Sequence, residues 1–310
     1  TITAISQGLF ACLDYTLPHN DGSFECIEFL LRDGSICGIP EFPAGTAVST
    51  SYVTDRLTSC VMALLANIDP EVGAAEGGYI GWWASVFSGK DFRQEDQSYI
   101  SQPLIVGSYV GGGPGVCGHD GWPIWGMGGT QGNLATTSVE IWERKHPQIF
   151  DVACQTITDS LGAGQFNGSP GQRLVARQRK GSVFVAGYGE GQVYPPKGVL
   201  GGEEGAPNRG FVVDGSTGER IRELPLVGVF EIHENESLEI LGNGGGGFGD
   251  PIDRDPERVC TDVSKHWISI GKALDTYGVV VEQSSEGFIV NWDATWDTRR
   301  SMAEGRSSRL

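Results

Sequence analysis

The run Gly244-Gly245-Gly246-Gly247-Phe248-Gly249-Asp250-Pro251, followed closely by Arg254-Asp255-Pro256-Glu257-Arg258-Val259, constrains this chain more than any other stretch. Four consecutive glycines carry no Cβ, so only main chain is presented there and φ is free to turn positive. Asp255-Pro256 then supplies the N-cap and first position of a helix. The glycine run reads either as a tight corner or as a surface that receives a ligand or partner. It matches neither the dinucleotide nor the P-loop glycine pattern.

Glycine contributes 47 of 310 residues while the charged fraction is an ordinary 20%. That balance favours tight loops and hairpins over long helices or disorder. The expected class is α+β, β-rich and loop-heavy, with a hairpin sheet and helices at about 54–67, 256–265 and 270–277. From Thr54, the positions Leu57, Cys60, Val61, Leu64 and Leu65 make one helical stripe, with the Thr54 hydroxyl as its cap. Residues 23–31 are β-prone and Asp33-Gly34 suits a hairpin turn before Ser35-Ile36-Cys37. Leu174-Val175-Ala176 is expected to pair with Val183-Phe184-Val185 across Lys180-Gly181. Phe211-Val212-Val213 ends in Asp214-Gly215, and two further strands bracket residues 233–237. A short helix is read at 138–144, and glycine-rich loops across 77–133.

Three regions follow: a mixed Gly/Trp-rich part at 1–170, a β-hairpin part with terminal helices at 171–282, and a tail at 283–310. The tail has no strong pattern, although Trp292 and Trp296 suit packing on a neighbour or on its own domain.

A formal charge of -17 opposes nucleic acid and anionic membranes, whose binding needs Lys and Arg. It suits solvation, or docking to a basic face of another subunit. No stretch approaches the roughly 20 apolar residues of a membrane span, and no basic-then-apolar leader opens the chain, so the expected location is cytoplasmic. The start at Thr1 fits trimming, processing or a fragment alike. Seven scattered cysteines without a CxxC pair suggest mostly buried thiols rather than a disulfide framework or zinc site.

Several stretches resemble a known family. Residues 244–251, Arg254-Asp255-Pro256-Glu257-Arg258-Val259, Asp262-Val263 and Tyr277-Gly278-Val279-Val280 resemble a C-terminal signature of the hydantoinase B/oxoprolinase family. Gly201-Gly202-Glu203-Glu204-Gly205-Ala206-Pro207 is similar to its GGxxGAP turn. Ser160-Leu161-Gly162-Ala163-Gly164-Gln165-Phe166-Asn167-Gly168 is similar to its SGGAGxFRGG stretch, with Leu161 in place of Gly. Asp120-Gly121, residues 133–140 and Pro18-His19-Asn20-Asp21-Gly22 resemble further family segments in the family's order. Members are longer, and their N-terminal metal-ligand motifs have no counterpart in this sequence.

The resemblance implies a piece of a B-type subunit in an ATP-dependent, multi-subunit enzyme that hydrolyses a cyclic amide of hydantoin, oxoproline or lactam type through a phosphate-activated carbonyl. The alternatives are a subunit of an acetone/acetophenone carboxylase-like assembly and a purely structural subunit. ATP with Mg is expected on a hydantoinase A-like partner. A divalent metal is expected on the chain carrying the missing N-terminal half, and no metal is assigned to this chain.

For catalysis the candidates are His119, Asp120, Asn133 and Glu140. A His beside an Asp suits a general base or, equally, a loop stabilised by an Asx turn. Asn133 and Glu140 suit orienting a carbonyl or water, or a turn and a helix surface. Asn20, Trp82, Trp122 and Trp125 are the candidate substrate-binding residues. The tryptophans suit an apolar pocket wall or ordinary packing. No HExxH, GxSxG or Walker motif occurs.

Overall fold

The computed structural model describes residues 1–13, 16, 18–45, 50–78, 86–93, 95–96, 98–103, 111–123, 140, 143–144, 149–225, 227–285 and 287–307. Two antiparallel sheets pack face to face. One has the order β2-β1-β5-β8, from β1 (Val86–Lys90), β2 (Tyr99–Pro103), β5 (Ser182–Tyr188) and β8 (Val227–His233). The other has the order β3-β4-β9-β6-β7, from β3 (Ile149–Thr156), β4 (Gln172–Gln178), β6 (Arg209–Asp214), β7 (Arg220–Leu224) and β9 (Glu236–Leu241). Strand alternation sends Phe87, Val183, Val185 and Ile232 inward from the first sheet, against Leu174, Val212, Leu238 and Ile240 from the second. The α+β class stands.

For β4, β5, β6, β8 and β9 the strand positions match the sequence pattern, but the pairing of β4 with β5 does not form, and neither does the strand expected at 23–31. β4 pairs with β3 and β9, while β5 pairs with β1 and β8, so the expected hairpin across Lys180-Gly181 is instead a crossing between sheets. Both strands face the same core, which is why alternation alone does not separate the two arrangements. Residues 27–32 form no strand, and the Asp33-Gly34 turn closes only an isolated bridge from Asp33 to Ile39. The β6–β7 hairpin does form, around Asp214. Of the seven cysteines only Cys260 is buried, and Cys26, Cys117 and Cys154 are exposed, contrary to the expectation of mostly buried thiols.

Helix α1 (Ile2–Cys12) lies against α2 (Thr50–Ile68), close enough that Thr58 Oγ1 donates to the Ala4 carbonyl at 3.1 Å. The helix begins a turn before Thr54, which is therefore an interior residue rather than its cap. Asp255 caps α3 (Pro256–Ser264) by accepting from Glu257 N at 2.9 Å, and Pro256 opens the helix as its sequence requires. Ser269 caps α4 (Ile270–Asp275), and Gly278, with φ of 63°, turns the chain beyond it. These helices share a second core of Leu161, Val259, Val263, Ile268, Tyr277 and Val279 with β10 (Val281–Ser284). β10 pairs with β11 (Gly287–Val290), and the tail continues into α5 (Trp292–Ser307). Of the helix expected at 138–144, Glu140, Glu143 and Arg144 are helical and the rest lies outside the described residues.

The glycine run is the axis of a third assembly. The N–H groups of Gly245 and Phe248 donate to Ser169 and Phe166 at 2.9 and 2.8 Å. Those of Gly244 and Gly247 donate to Ala206 and Glu203 at 3.2 and 2.9 Å, and those of Gly246 and Gly249 to Glu76 and Val199 at 2.9 and 3.1 Å. Carbonyls follow suit: Asn243 accepts from Gly112 and Gly246 from Gly115, at 2.8 and 2.9 Å. In two of these three N–H pairs, and in the carbonyl pair, residues three apart address the same neighbouring segment. That is the period of a polyproline-II-type helix, which has no internal hydrogen bonds and offers its backbone outward; a strand would repeat every two.

Close packing explains the composition. A Cβ on Gly244, Gly245, Gly246 or Gly247 would run into the carbonyl oxygens of Ser160, Gly113, Lys197 or Ala163, respectively. All four glycines are buried, and every one of their N–H groups is bonded to protein, leaving none for a phosphate.

Gly245→Ala should therefore destabilise the protein by ~3 kcal/mol or more, because the blocking atoms are backbone and cannot swing aside. Gly271→Ala, whose added carbon meets nothing nearer than 3.7 Å, should leave stability unchanged or raise it by up to ~1 kcal/mol. Urea denaturation midpoints of the two variants distinguish these outcomes.

Candidate functional site

Two capped turns create the centre of the molecule. Asp250 caps a 3-10 turn (Pro251–Asp253) and Asp255 caps α3, so Arg254 between them is extended, with φ of -67° and ψ of 135°. Its side chain turns inward and is only 1% exposed.

All five guanidinium donors of Arg254 find acceptors. Nη1 and Nη2 fork onto Asp120 at 2.7 and 2.9 Å. Nε and Nη2 reach Asp262 Oδ2 at 3.1 and 2.8 Å, and Nη1 also reaches the Gln165 carbonyl at 3.1 Å. The network extends through Asn167, whose backbone N–H donates to Asp120 at 2.8 Å and whose Nδ2 donates to Asp262 at 3.0 Å. Asn167 Oδ1 accepts from Tyr277 Oη at 2.7 Å and from Gly164 N at 3.1 Å. Arg258 adds a bond from Nη2 to Asp120 at 2.6 Å. Arg299 of α5 closes the set, donating to the carbonyls of Arg254 and Tyr277 at 2.6 and 3.0 Å.

Arg254 and Arg258 balance Asp120 and Asp262 in charge, the condition under which a buried ionic cluster is tolerated, while Arg299 bonds only to carbonyls of the set. Burial works to raise the Asp120 pKa, but the Arg254 bonds, the two arginine charges and the Asn167 N–H outweigh it and hold the carboxyl below its usual range. Burial likewise pushes the Asp262 carboxyl up against the pull of Arg254, and pushes Tyr277 well above a normal phenol.

The site residues expected from the sequence divide accordingly. Asp120 is an anchor, with both oxygens bonded to arginine, and no hydrogen bond joins it to His119 among the described contacts. His119 sits in a tight turn in which it and Val116 exchange backbone hydrogen bonds at 3.0 and 3.1 Å, and it is exposed. Trp122 is 72% exposed, while its carbonyl accepts from Gly113 N at 2.8 Å. The buried Asp120 thus pins a loop that presents His119 and Trp122 outward. Asn20 caps a 3-10 turn (Asp21–Phe24), accepting from Gly22 N at 2.9 Å, and Glu140 is an exposed helical residue. Asn133, Trp82 and Trp125 lie outside the described residues. Among the described residues, no group of three or more His, Cys, Asp or Glu is disposed to hold a metal.

A second titratable position carried no sequence signal beyond a lone carboxylate in Gly189-Glu190-Gly191. Burial pushes Glu190 up to about 7, against the charge of Arg56 and with the help of Asp55. Arg56 Nε stands 3.8 Å from Glu190 Oε2, beyond hydrogen-bond reach, and that oxygen has no hydrogen-bond partner among the described residues. Arg56 also approaches Glu76, which links this position to the glycine assembly through the bond from Lys197 N to Glu76 Oε2 at 2.9 Å.

The family model for hydantoinase B/oxoprolinase matches residues 1–251. The chain belongs to this family. Caprolactamase subunit beta of Pseudomonas jessenii is 28% identical over 293 residues, covering 92% of this chain and 49% of the relative. The acetone carboxylase alpha subunit of Xanthobacter autotrophicus is 24% identical over 336 residues, covering 92% of this chain and 41% of the relative. The crystal structure of ATP-dependent caprolactamase from Pseudomonas jessenii superposes with a TM-score of 0.79 at 25% identity, over 96% of this chain and 51% of that one. Nucleotide-free acetone carboxylase shares the fold, with a TM-score of 0.77 at 18% identity over 100% of this chain and 44% of that one. The chain therefore spans about half the length of the relatives it matches. No helix among the described residues is long and apolar enough to cross a membrane.

Glu190 gives the family member a signed pH response. Its pKa is raised on folding from 4.5 to about 7, so its contribution to stability is fully present below about 4.5 and is lost as pH rises through about 7. Glu190→Gln should raise the melting temperature at pH 8, by an amount corresponding to ~3 kcal/mol at most, and leave it nearly unchanged at pH 4.5. Thermal melts of both proteins across that range provide the check.

Proposed function

We propose that this chain is one part of a B-type subunit in an ATP-dependent, multi-subunit enzyme that hydrolyses a cyclic amide after its carbonyl oxygen has been phosphorylated. The observation that carries this reading is the similarity to caprolactamase subunit beta across 92% of the chain, joined to the 0.79 superposition on the caprolactamase structure. In this reading ATP and Mg bind a hydantoinase A-like partner, a divalent metal sits on the chain supplying the remaining half of the B-type subunit, and the complex works in the cytoplasm.

The geometry supports a division of labour within this chain. Arg254 and Asp120 have every strong contact filled by protein, so they position, and His119 and Trp122 on the pinned loop face the reaction. His119 takes the role of proton acceptor for the attacking water and Trp122 that of an apolar wall for the ring; Asn20, Trp82 and Trp125 are the other candidate substrate contacts. Asn133 and Glu140 orient the carbonyl or the water. Ketone carboxylation is the second reading, favoured by the match to the acetone carboxylase alpha subunit over 92% of this chain.

Reconstitution decides between them. Combined with its ATP-binding partner and the remainder of the B-type subunit, the protein should release ADP in step with ring opening of caprolactam, 5-oxoproline or hydantoin, without bicarbonate. His119→Ala in that complex should lower kcat about 100-fold. Turnover that requires bicarbonate and a ketone supports carboxylation instead, and full turnover by this chain alone contradicts both readings.

A further inference from the structure

The five-stranded sheet has an outer face that the functional site does not use. Period-two alternation places Arg173 and Arg177 of β4, Arg209 of β6, Glu223 of β7 and Glu239 of β9 on this side, because Leu174, Ala176, Val212, Leu224 and Leu238 point into the sandwich. Arg220 of β7 joins them through its bond to Glu239. Arg173, Arg209 and Arg220 against Glu223 and Glu239 leave one positive charge among these side chains, on a chain whose formal charge is -17.

The arrangement around Glu239 is not that of a self-satisfied ion pair. One arginine would ordinarily grip one carboxylate with a two-point fork. Glu239, with its side chain 4% exposed, instead divides its oxygens: Oε1 accepts from Arg173 Nε at 2.6 Å and Oε2 from Arg220 Nε at 2.7 Å. The arginines outweigh the effect of burial and hold this carboxyl below its usual range, so it remains ionised. The Phe211 ring lies beneath Arg220, 4.1 Å from centroid to guanidinium carbon, and Gln155 accepts from Arg173 Nη1 at 3.1 Å. Both guanidinium planes are thereby fixed before anything binds. Both Nη groups of Arg220 and Nη2 of Arg173 make no hydrogen bond among the described residues, and these side chains are 49% and 38% exposed.

We propose that this face docks a carboxylate-bearing segment of a partner subunit, whose Asp or Glu side chains bridge the outer Nη groups of Arg173 and Arg220. The two planes flank Glu239 from the rows on either side of it on a rigid sheet, so the segment gains oriented, charge-assisted hydrogen bonds at little ordering cost. Elsewhere the acidic chain repels such a segment, and at physiological salt the repulsion fades within about 8 Å, which makes a local positive island effective. The identity of the occupant as a subunit rests on the multi-subunit reading above; the face itself is tested without it.

The test titrates fluorescein-labelled deca-glutamate into the full chain by anisotropy at about 20 mM and about 150 mM salt. Wild type should bind at low salt and weaken at the higher salt. Arg220→Gln should weaken low-salt binding about tenfold, while Arg300→Gln, on α5 away from this face, should not change it. Glu239→Gln removes the competing carboxylate at constant shape and should tighten binding, a sign that a purely structural role does not give. Circular dichroism confirms that each variant is folded, and if Arg220→Gln is not, the Glu239→Gln result decides. Unchanged binding by folded Arg220→Gln, weaker binding by Glu239→Gln, equal loss in Arg300→Gln, or displacement by inorganic phosphate at matched charge would overturn the proposal. Because this readout involves no catalysis, its failure is separate from failure of reconstituted turnover.

Discussion

Everything in this protein is arranged around the close approach of bare backbone at residues 243–249. Where main chains lie this near one another, no water is present to bond an idle amide, so each N–H and C=O must find a protein partner. A polyproline-II-type segment meets that demand because its groups radiate to successive neighbours every three residues. The cost is that no side chain fits along the contact lines, which accounts for four consecutive glycines and for their partners at 112, 113, 115, 162, 164 and 168.

The ion cluster follows from that packing. The segment at 160–168 lies against the glycine axis, and Asn167 within it hands its polar groups to Asp120, Asp262 and Tyr277. Arg254 leaves the end of the glycine run and fills the remaining acceptors. The outcome is a network that holds three distant parts of the chain together and uses every guanidinium donor of Arg254 within the protein. At the rim, the loop anchored by Asp120 exposes His119 and Trp122. This scaffold belongs to a chain about half as long as the relatives it matches, among them a caprolactamase subunit beta.

What the sequence made legible was local. Asp255-Pro256 announces α3 to within a residue, because capping chemistry is written in adjacent positions. Alternation identifies β4, β5, β6, β8 and β9 but not their partners, since Leu174 and Val183 point into one core whichever sheet they join. Helix α5 had no apolar stripe to betray it. Its attachment depends on Arg299 bonding two carbonyls and on buried Thr295 accepting from Val280 N at 3.0 Å, interactions with no periodic signature. Asp120 is visible as a candidate, yet its arginine partners lie more than 130 positions away, and adjacency in sequence points to His119 instead. A three-residue period was illegible for the simplest reason: glycine repeated at every position shows no period.

Native-state hydrogen exchange tests the central claim most directly. If the glycine run is the axis of the assembly, the amides of residues 244–248 exchange only through global unfolding, with protection equal to that of Val183, Val185 and Leu238 in the sandwich core. Exchange of those glycine amides at the rate of an exposed loop, while the sandwich stays protected, would contradict the account.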